Sequence, residues 1–392
     1  MYKKRFLRFV SAVLALSMMA ALLPTAAFAA TAAGQTFTYT HQGQTLKYTV
    51  NEDGNTVSVA EQGYEAVSGD VVIPETVKDG EGIEYTVTSI GNNAFSYCSA
   101  LTSVESPSGV TSIGQYAFVK CSALKSITFD ENSLLTSIGN NAFSYCSALT
   151  SVMIPSGVTG IGMNTFYSCS ALTSVTFADN SLLTSIGNGA FEKCSALTSV
   201  EIPSSVTSIG WQAFANCNKL TSVAIPSGVT SIKQNTFYSC SSLTSVIFAD
   251  NSKLTSIGQY AFAKCSALES VKIPEGVKQI FGGAFSDCDK LSEISIPASV
   301  TTIKQKDNNG NSAPIFANCT GPIAVTYGGS QGQWGDFNVA LPAGSPEVTH
   351  KSNVSVTFNA NNGDGEPITE TVQYGEKVKA PTDPIKAGYI FD

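Results

Sequence analysis

The stretch SIGNNAFSYCSALTSV occurs twice in this chain, at residues 89–104 and again, without a change, at residues 137–152. The two copies start 48 residues apart (137 − 89 = 48), so the chain contains an internal duplication. Each copy carries one cysteine. That cysteine could belong to a reactive site, a disulfide, a metal site or a repeated core position, and the rest of the sequence bears on the choice.

The cysteines of the chain recur at nearly constant spacing, which is the mark of a repeat architecture. All ten follow it, with spacings of 23, 25, 23, 25, 23, 23, 25, 23 and 31 residues. They are Cys98, Cys121, Cys146, Cys169, Cys194, Cys217, Cys240, Cys265, Cys288 and Cys319. A Phe stands three residues before each of them, from Phe95 to Phe316. Every cysteine is therefore a repeat position.

The repeat unit reads LxxVxIPxxVxxIGxxAFxxC and carries two strand signals. In LTSVMIP, the alternation of Val152 and Ile154 predicts an extended segment with these side chains inward, and Leu149 enters from a bend. Pro155 ends that strand because proline cannot donate to a ladder. A turn and a second short strand follow in SGVTSIG-type sequence. NNAFSYC is too short for an independent helix and predicts one or two helical turns.

A unit of about 23 residues cannot bury its apolar side chains alone, but stacked identical units can. The sequence therefore predicts a repeat solenoid in which each Phe, Ile, Leu and Cys lies on its counterpart in the next coil. Three coils of 25 residues read FDENSLL, FADNSLL and FADNSKL where the others read IPSGV. We expect this insertion to bulge outward between the strands and to leave the core register intact.

These residues resemble the BspA-like class of bacterial leucine-rich repeats, with ten repeats over residues 89–330. Residues 30–88 resemble the N-terminal capping region of that family, and residues 331–350 its terminal coil and linker, with Trp334 as a lid. The resemblance implies a right-handed solenoid with a parallel sheet on one side, secreted or attached to the cell surface and linked to adhesion. The last repeat departs from the pattern, with Pro322 in place of Leu and the insertion KQKDNNGNSAPI.

The two ends of the chain carry different signals. Residues 1–29 combine Lys and Arg, an apolar stretch and the small-residue sequence AAFAA, which is typical of a secretory signal peptide cleaved after Ala29 or Ala30. The apolar stretch is too short to cross a bilayer, and no membrane span is predicted elsewhere. Residues 351–392 resemble a partial Listeria-Bacteroides (internalin-B-type) repeat, whose pattern would continue past Asp392. We therefore expect a longer surface protein.

Charge argues against one class of partner. Removal of the signal peptide takes four positive charges, so the net charge moves from 22 − 30 = −8 to 18 − 30 = −12. Binding to nucleic acid needs clustered Lys and Arg, so no nucleic-acid partner is predicted.

Three interpretations of the cysteines remain open from the sequence. Ten cysteines in a secreted chain are compatible with five disulfides. Equivalent positions in stacked coils, however, lie about 4.8 Å apart with parallel Cβ vectors, which exceeds the usual Cβ separation in a disulfide. A metal site is disfavoured by the lack of a CxxC pair and of His in the repeats. Buried free thiols in the core are the interpretation we favour.

Catalytic and cofactor signals are weak, and we predict neither an enzyme nor a bound cofactor or metal. The two histidines, His41 and His350, flank the repeats, so a histidine-dependent mechanism would require one to cross the length of the rod. The GGSQG sequence around Ser330 matches the GxSxG of hydrolases but lacks their α/β frame. Asp307, Asn309 and Asn311 have the spacing of a calcium loop without its distant acidic ligand.

The surface is where the sequence predicts function. Thr and Ser repeat at the outward positions of the first strand, and the residue seven after each cysteine interrupts them. These variable residues, with aromatic residues around the turn, are the predicted ligand-binding set: Glu105, Met153, Glu201, Ile247, Lys272, Tyr97, Tyr116, Tyr145, Tyr167, Trp211, Tyr238 and Tyr260. The favoured hypothesis is an adhesion protein that presents an extended face to a host or microbial protein. The alternative is a carbohydrate-binding or spacer module of a longer surface enzyme.

Overall fold

The computed structural model describes residues 30–350 in full and the backbone of two further strands, Asn353–Phe358 and Ile368–Gln373. These two strands pair with each other in antiparallel orientation. The predicted signal peptide and the remainder of the C-terminal module lie outside the described residues. Among the described residues, no helix has the length and apolar character needed to cross a membrane.

Each coil contributes one strand to a parallel face that we call the strand face. The strands are in register, as in Met153 opposite Thr176, and Leu149, Val152 and Ile154 are buried as the sequence predicted. The strands of this face are β4 (Gly69–Val72), β7 (Leu101–Ser106), β9 (Ser126–Phe129), β11 (Ser151–Ile154), β13 (Ser174–Phe177), β15 (Ser199–Val200), β17 (Ser222–Ile225), β19 (Ser245–Phe248), β21 (Ser270–Lys272), β23 (Glu293–Ile296), β25 (Ala324–Tyr327) and β26 (Thr349–His350).

A second column of shorter parallel strands forms where the sequence repeats TSIG. Its isoleucines pair coil to coil and are buried, as with Ile113 and Ile138. The column comprises β6 (Glu84–Ile90), β8 (Ser112–Ile113), β10 (Ser137–Ile138), β12 (Gly160–Ile161), β14 (Ser185–Ile186), β16 (Ser208–Ile209), β18 (Ser231–Ile232), β20 (Ser256–Ile257), β22 (Gln279–Ile280) and β24 (Thr302–Ile303). The predicted repeat solenoid with two strand segments per coil is thus confirmed.

The third side of each coil, here called the turn edge, differs from the prediction of short helical turns. Cys98 N donates to Phe95 O, an i to i+3 bond, and Phe95 N donates across to Ala117 O of the next coil at 2.7 Å. Residues one before each cysteine, such as Tyr97, have positive φ. Left-handed residues interrupt any helix and turn N–H groups towards the neighbouring coil. The segment is therefore a β-turn in each coil, and backbone hydrogen bonds join the turns of neighbouring coils.

The interior of the stack follows the predicted columns. From Phe95 to Phe285, successive Phe rings are 5.0 to 5.6 Å apart and within 11° of parallel. The last pair, to Phe316, opens to 6.2 Å. The ten cysteines are free thiols, nine of them buried and Cys319 half-buried. The free-thiol interpretation is confirmed.

The 25-residue coils keep the register that the sequence predicted. Ser174 of such a coil pairs with Ser151 before it and with Ser199 after it, so the core columns are continuous through the insertion. The extra residues lie outside, in the loop that follows the strand, and Leu182 there is exposed.

Both ends of the stack are covered. At the N-terminal end, β1 (Thr36–His41), β2 (Gln44–Val50) and β3 (Thr56–Val59) form an antiparallel sheet that joins β6, which also pairs with β5 (Thr76–Lys78). At the other end, the short helix α1 (Gln331–Asp336) places Trp334 against Tyr327, with ring centroids 5.6 Å apart. Trp334 is half-buried on the last coil.

Candidate ligand-binding surfaces

The variable residues of the strand face form a single outward column. Parallel pairing sets several of them beside their counterparts, as with Ala224 beside Ile247 and Lys272 beside Ser295. Two members are large, apolar and exposed, Met153 at 44% and Ile247 at 59%. Down the stack the column reads Glu105, Thr128, Met153, Thr176, Glu201, Ala224, Ile247, Lys272, Ser295 and Thr326. The structure thus brings the predicted Glu105, Met153, Glu201, Ile247 and Lys272 onto one face.

The threonines at the entry to this face are largely occupied by the fold itself. Thr173 Oγ1 donates to Thr150 O at 3.0 Å, and Thr244 Oγ1 donates to Thr221 O at 3.0 Å. These hydroxyls satisfy backbone carbonyls of the preceding coil. The variable column is therefore the part of the face whose side chains differ between coils without a repeated structural partner.

Two open grooves lie where a 25-residue coil meets the next coil. One is lined by Thr176, Phe177, Asn180, Glu201 and Pro203. The other is lined by Ile247, Phe248, Asp250, Lys272 and Pro274, with Ser295 beyond them. Each groove starts at an outward FADN loop. The first includes two members of the variable column and the second includes three. The insertions thus give an otherwise uniform face two concave places.

Tyrosine and lysine side chains lie next to one another along the turn edge, in what we call the tyrosine–lysine row. Tyr64 and Tyr97 have ring centroids 5.7 Å apart, and Lys120 Nζ lies 4.7 Å from the Tyr97 ring and 6.0 Å from that of Tyr145. Tyr145 meets Tyr167 edge-on at 5.3 Å. Lys193 Nζ lies 4.9 Å from the Tyr167 ring and donates to its hydroxyl. The row comprises Tyr64, Tyr97, Lys120, Tyr145, Tyr167 and Lys193.

The hydrogen bond from Lys193 to Tyr167 raises the pKa of that ammonium group, which keeps it charged. A shorter copy of the arrangement stands further along, where Lys264 Nζ lies 5.2 Å from the Tyr238 ring. The Tyr238 hydroxyl likewise raises the pKa of Lys264.

The other predicted aromatic residues lie outside this row. Trp211 is 57% exposed, and its backbone N–H is fixed by Asn188 Oδ1 at 2.9 Å. Tyr116 is also exposed, whereas Tyr260 is half-buried. An added Cβ at Gly283 would come within 2.1 Å of the Tyr260 ring, so Tyr260 packs over a glycine of the next coil.

Sequence reasoning missed the basic half of the row. Lys120, Lys193 and Lys264 each directly precede a cysteine, as Tyr97 and Tyr145 do. That shared repeat position was a usable signal, because stacked coils bring equal positions side by side. Tyr64 lies before the first repeat and had no such signal.

The weak catalytic signals resolve into local structure. Ser330 caps α1 and exchanges hydrogen bonds with Gln333 in a capping box. The sequence had led us to expect that both histidines would lie far from any such site. His350 is instead close to Ser330, because its Nδ1 is 3.2 Å from the neighbouring Gly329 O. The Asp307 carboxylate accepts hydrogen bonds from Asn309 and Asn311 of its own loop.

Comparison with known proteins agrees with this architecture. The model of the BspA type leucine-rich repeat region matches residues 82–196 and 184–320 in six copies, and that of the Listeria-Bacteroides repeat domain matches residues 355–392. No curated protein sequence matches the chain.

Three solved structures illustrate the range of similar chains. A leucine-rich cell surface protein from Faecalibacterium prausnitzii is 30% identical over 79% of this chain and 98% of its own, with a TM-score of 0.39. The T. pallidum leucine-rich repeat protein is 26% identical over 57% of this chain and 87% of its own, with a TM-score of 0.40. The pneumococcal vaccine antigen PcpA is 18% identical over 82% of this chain and 100% of its own, with a TM-score of 0.44.

Stacked coils with short parallel strands and a repeated leucine define a leucine-rich repeat solenoid. The matched residues 82–320 make up more than half of the chain, so it belongs to the BspA type leucine-rich repeat family, which is typical of bacterial surface proteins. A Listeria-Bacteroides repeat follows the solenoid.

Proposed function

We propose that this is a secreted or cell-surface adhesion protein that binds a host or microbial protein through the strand face. The observation that carries the proposal is the variable column, where exposed Met153 and Ile247 interrupt rows of Ser and Thr. The repeats need a constant interior, but nothing in the stacking requires these outward residues to differ. On this proposal, residues 30–350 bind a ligand and do not catalyse a reaction.

The chemistry of the face suits an extended protein segment. Apolar side chains at Met153 and Ile247 would bury against the ligand, while Glu201 and Lys272 offer charges of opposite sign further along the column. The grooves beside Glu201 and Ile247 provide concave places for single side chains of the ligand. Hot spots of protein binding concentrate in such places, and the polar rows would form a rim around them.

The test is a binding screen with the mature chain against immobilised extracellular-matrix and bacterial surface proteins. For a ligand found in this way, Met153→Ser and Ile247→Ser should each weaken binding by about tenfold or more, since burial of such a side chain contributes about 1.5–3 kcal/mol. Thr326→Ser, in the same column, is the matched control and should bind normally. A broad screen without a ligand, or full binding by both variants, would contradict the proposal.

A glycan ligand is the second candidate, and the tyrosine–lysine row is the observation that favours it. Exposed tyrosine rings provide flat apolar surfaces for sugars, and Lys120 and Lys193 add positive charge suited to an acidic glycan. Glycan-array binding that is lost in both Tyr145→Ala and Lys193→Ala, and retained in Met153→Ser, would support this candidate. The chain would then act as the carbohydrate-binding or spacer module of a longer surface enzyme. Absence of array binding would leave the protein ligand as the sole proposal.

A further inference from the structure

Asp79 is a buried carboxylate at the N-terminal end of the stack, only 7% exposed. It lies at the tip of the hairpin that joins β5 to β6. Its Oδ1 accepts the backbone N–H of Glu81 at 3.0 Å and that of Ile83 at 2.9 Å. These two bonds shape the hairpin turn, and they leave the second carboxylate oxygen directed elsewhere.

The second oxygen, Oδ2, is bound by the first residues of the described chain. Thr31 donates to it twice, from the backbone N at 3.2 Å and from Oγ1 at 2.8 Å. The hydroxyl of buried Tyr85 donates to it at 3.1 Å, and the Tyr85 ring packs against Phe37 of β1 at 5.5 Å. The N-terminal segment is thus tied to the cap through this one carboxylate.

The charge of Asp79 is left without a side-chain counter-ion. Burial would raise the pKa of Asp79, but hydrogen bonds from Thr31, Ile83 and Tyr85 outweigh it and lower the pKa to about 2, so the group is an anion. Within residues 30–350, the one ion pair closer than 4 Å joins Lys78 to Glu84. No Lys, Arg or His of that range therefore pairs with Asp79. The hydrogen bonds stabilise this anion, and a cation beside it would add the charge pairing that buried carboxylates favour.

We propose that Asp79 is the binding site for the α-ammonium group that forms when the leader is removed from the chain. The sequence AAFAA predicts cleavage after Ala29 or Ala30, so the mature chain begins at Ala30 or Thr31. If it begins at Thr31, the nitrogen that already donates to Asp79 becomes the ammonium group. If it begins at Ala30, the ammonium group belongs to the residue before Thr31, and the Cα atoms of these two residues are about 3.8 Å apart.

On this view, processing completes the N-terminal cap by supplying the missing positive charge. The uncleaved chain has a neutral peptide N–H at this place, whereas the mature chain has a cation beside a buried anion. The proposal requires removal of the leader but no bound ligand, so it can fail or succeed independently of the proposed adhesion function.

The first test measures the mature protein, with its first residue identified by intact mass. An ordinary α-amino group has a pKa of about 7.7–8.0, and a neighbouring carboxylate raises it by about one unit or more. Acylation of the α-amine at pH 7 should therefore be slower by about tenfold than for an unstructured peptide of the same N-terminal sequence. Asp79→Asn should restore the ordinary rate. An ordinary rate in the unaltered protein, or a first residue other than 30 or 31, would overturn the proposal.

Asp53→Asn is the matched control for that experiment. Asp53 also accepts hydrogen bonds in a turn of the cap, from the Asn55 and Thr56 N–H groups and the Thr56 hydroxyl, but it is exposed and does not contact Thr31. Its substitution should leave the slow acylation unchanged. Loss of the slow rate in this control would mean that any damage to the cap releases the amine, and it would overturn the specific role of Asp79.

The second test separates the charge from the hydrogen bonds. A chain with Gly-Ser-Gly-Ser placed before Ala30 keeps the Thr31 N–H but moves the ammonium group away. Asp79→Asn should then lower the Tm less than it does in the mature chain, by a difference of about 2 °C or more. Equal losses of Tm in the two forms would show that Asp79 binds only neutral donors.

Discussion

Phe166 and Tyr167 are neighbours in the chain but belong to regions that follow different rules. Phe166 lies in a column where every coil has Phe, and its ring stacks within 6° of parallel on both adjacent rings. Tyr167 lies in a column that varies from coil to coil, and it contacts Tyr145 edge-on and Lys193 through its ring and hydroxyl. Within one turn, a constant residue such as Phe166 therefore stabilises the fold, while the next residue, Tyr167, is free to differ from coil to coil at the surface.

The two regions also differ in how much strain they accept. The residue before each cysteine has positive φ, a conformation that costs a non-glycine residue about 1–2 kcal/mol. Asn216 and Asn318 meet this requirement with a residue that tolerates it, whereas Tyr97, Tyr145 and Lys193 do not. The interior column shows no such departure. Large side chains are thus retained on the turn edge in a conformation that does not favour them.

The largest expected effect comes from breaking the interior column. Phe191→Ala removes a ring stacked between Phe166 and Phe214 and should lower the free energy of unfolding by about 3–5 kcal/mol, because it leaves a cavity in a close-packed stack. Denaturant unfolding followed by circular dichroism measures it. Lys193→Ala, two residues on, is the control and should cost less than about 1 kcal/mol. Comparable losses would contradict the division between interior and edge.

A second effect concerns the buried thiols and pH. Burial raises the pKa of these thiols, to about 12 for Cys240. The folded state therefore binds more protons than the unfolded state above the unfolded pKa of about 8.5, so stability should be constant below that pH and should fall as the pH rises towards 12. Denaturant midpoints at pH 7.5, 9 and 10 measure the trend.

Alkylation gives a direct comparison between the two ends of the cysteine column. At pH 8.5, half-buried Cys319 should react first and Cys240 only when the protein is unfolded. Uniform reaction of all ten thiols in the native protein would contradict their burial.

The smallest expected effect comes from a substitution on the turn edge. Tyr145→Asn relieves the left-handed strain at that position but loses the contacts with Tyr167 and Lys120. The two effects oppose each other, so the free energy of unfolding should change by less than about 1 kcal/mol. Thermal unfolding measures the change. A loss of several kcal/mol would place Tyr145 among the residues that hold the fold.

Sequence reasoning reached the interior because every relevant signal was periodic. The buried positions of Val152, Ile154 and the cysteines follow from the repeat alone, since stacked units must present equal residues to each other. The prediction of helical turns in NNAFSYC was wrong because Asn93 and Tyr97 adopt positive φ. The conformational preferences of Tyr do not suggest this.

The surface contacts were harder to reach, for a physical reason. Lys120 and Tyr145, or Tyr167 and Lys193, meet only because the register of the coils sets residues about one repeat apart beside each other. The bond from Thr31 to Asp79 joins a terminal segment to a hairpin tip outside the repeats, where no period applies. Which exposed residues bind a ligand stays a prediction.

In-register pairing of like residues has a consequence for how such a gene can change. Residues 89–104 and 137–152 are identical, so a crossover between the two copies would delete or add two whole coils and still join matching partners on either side. Each coil gained or lost moves the exposed side chains on its two sides by about 4.8 Å relative to each other. Recombination can therefore change the length of the solenoid in steps of whole coils, while point mutations change the exposed side chain that each coil presents.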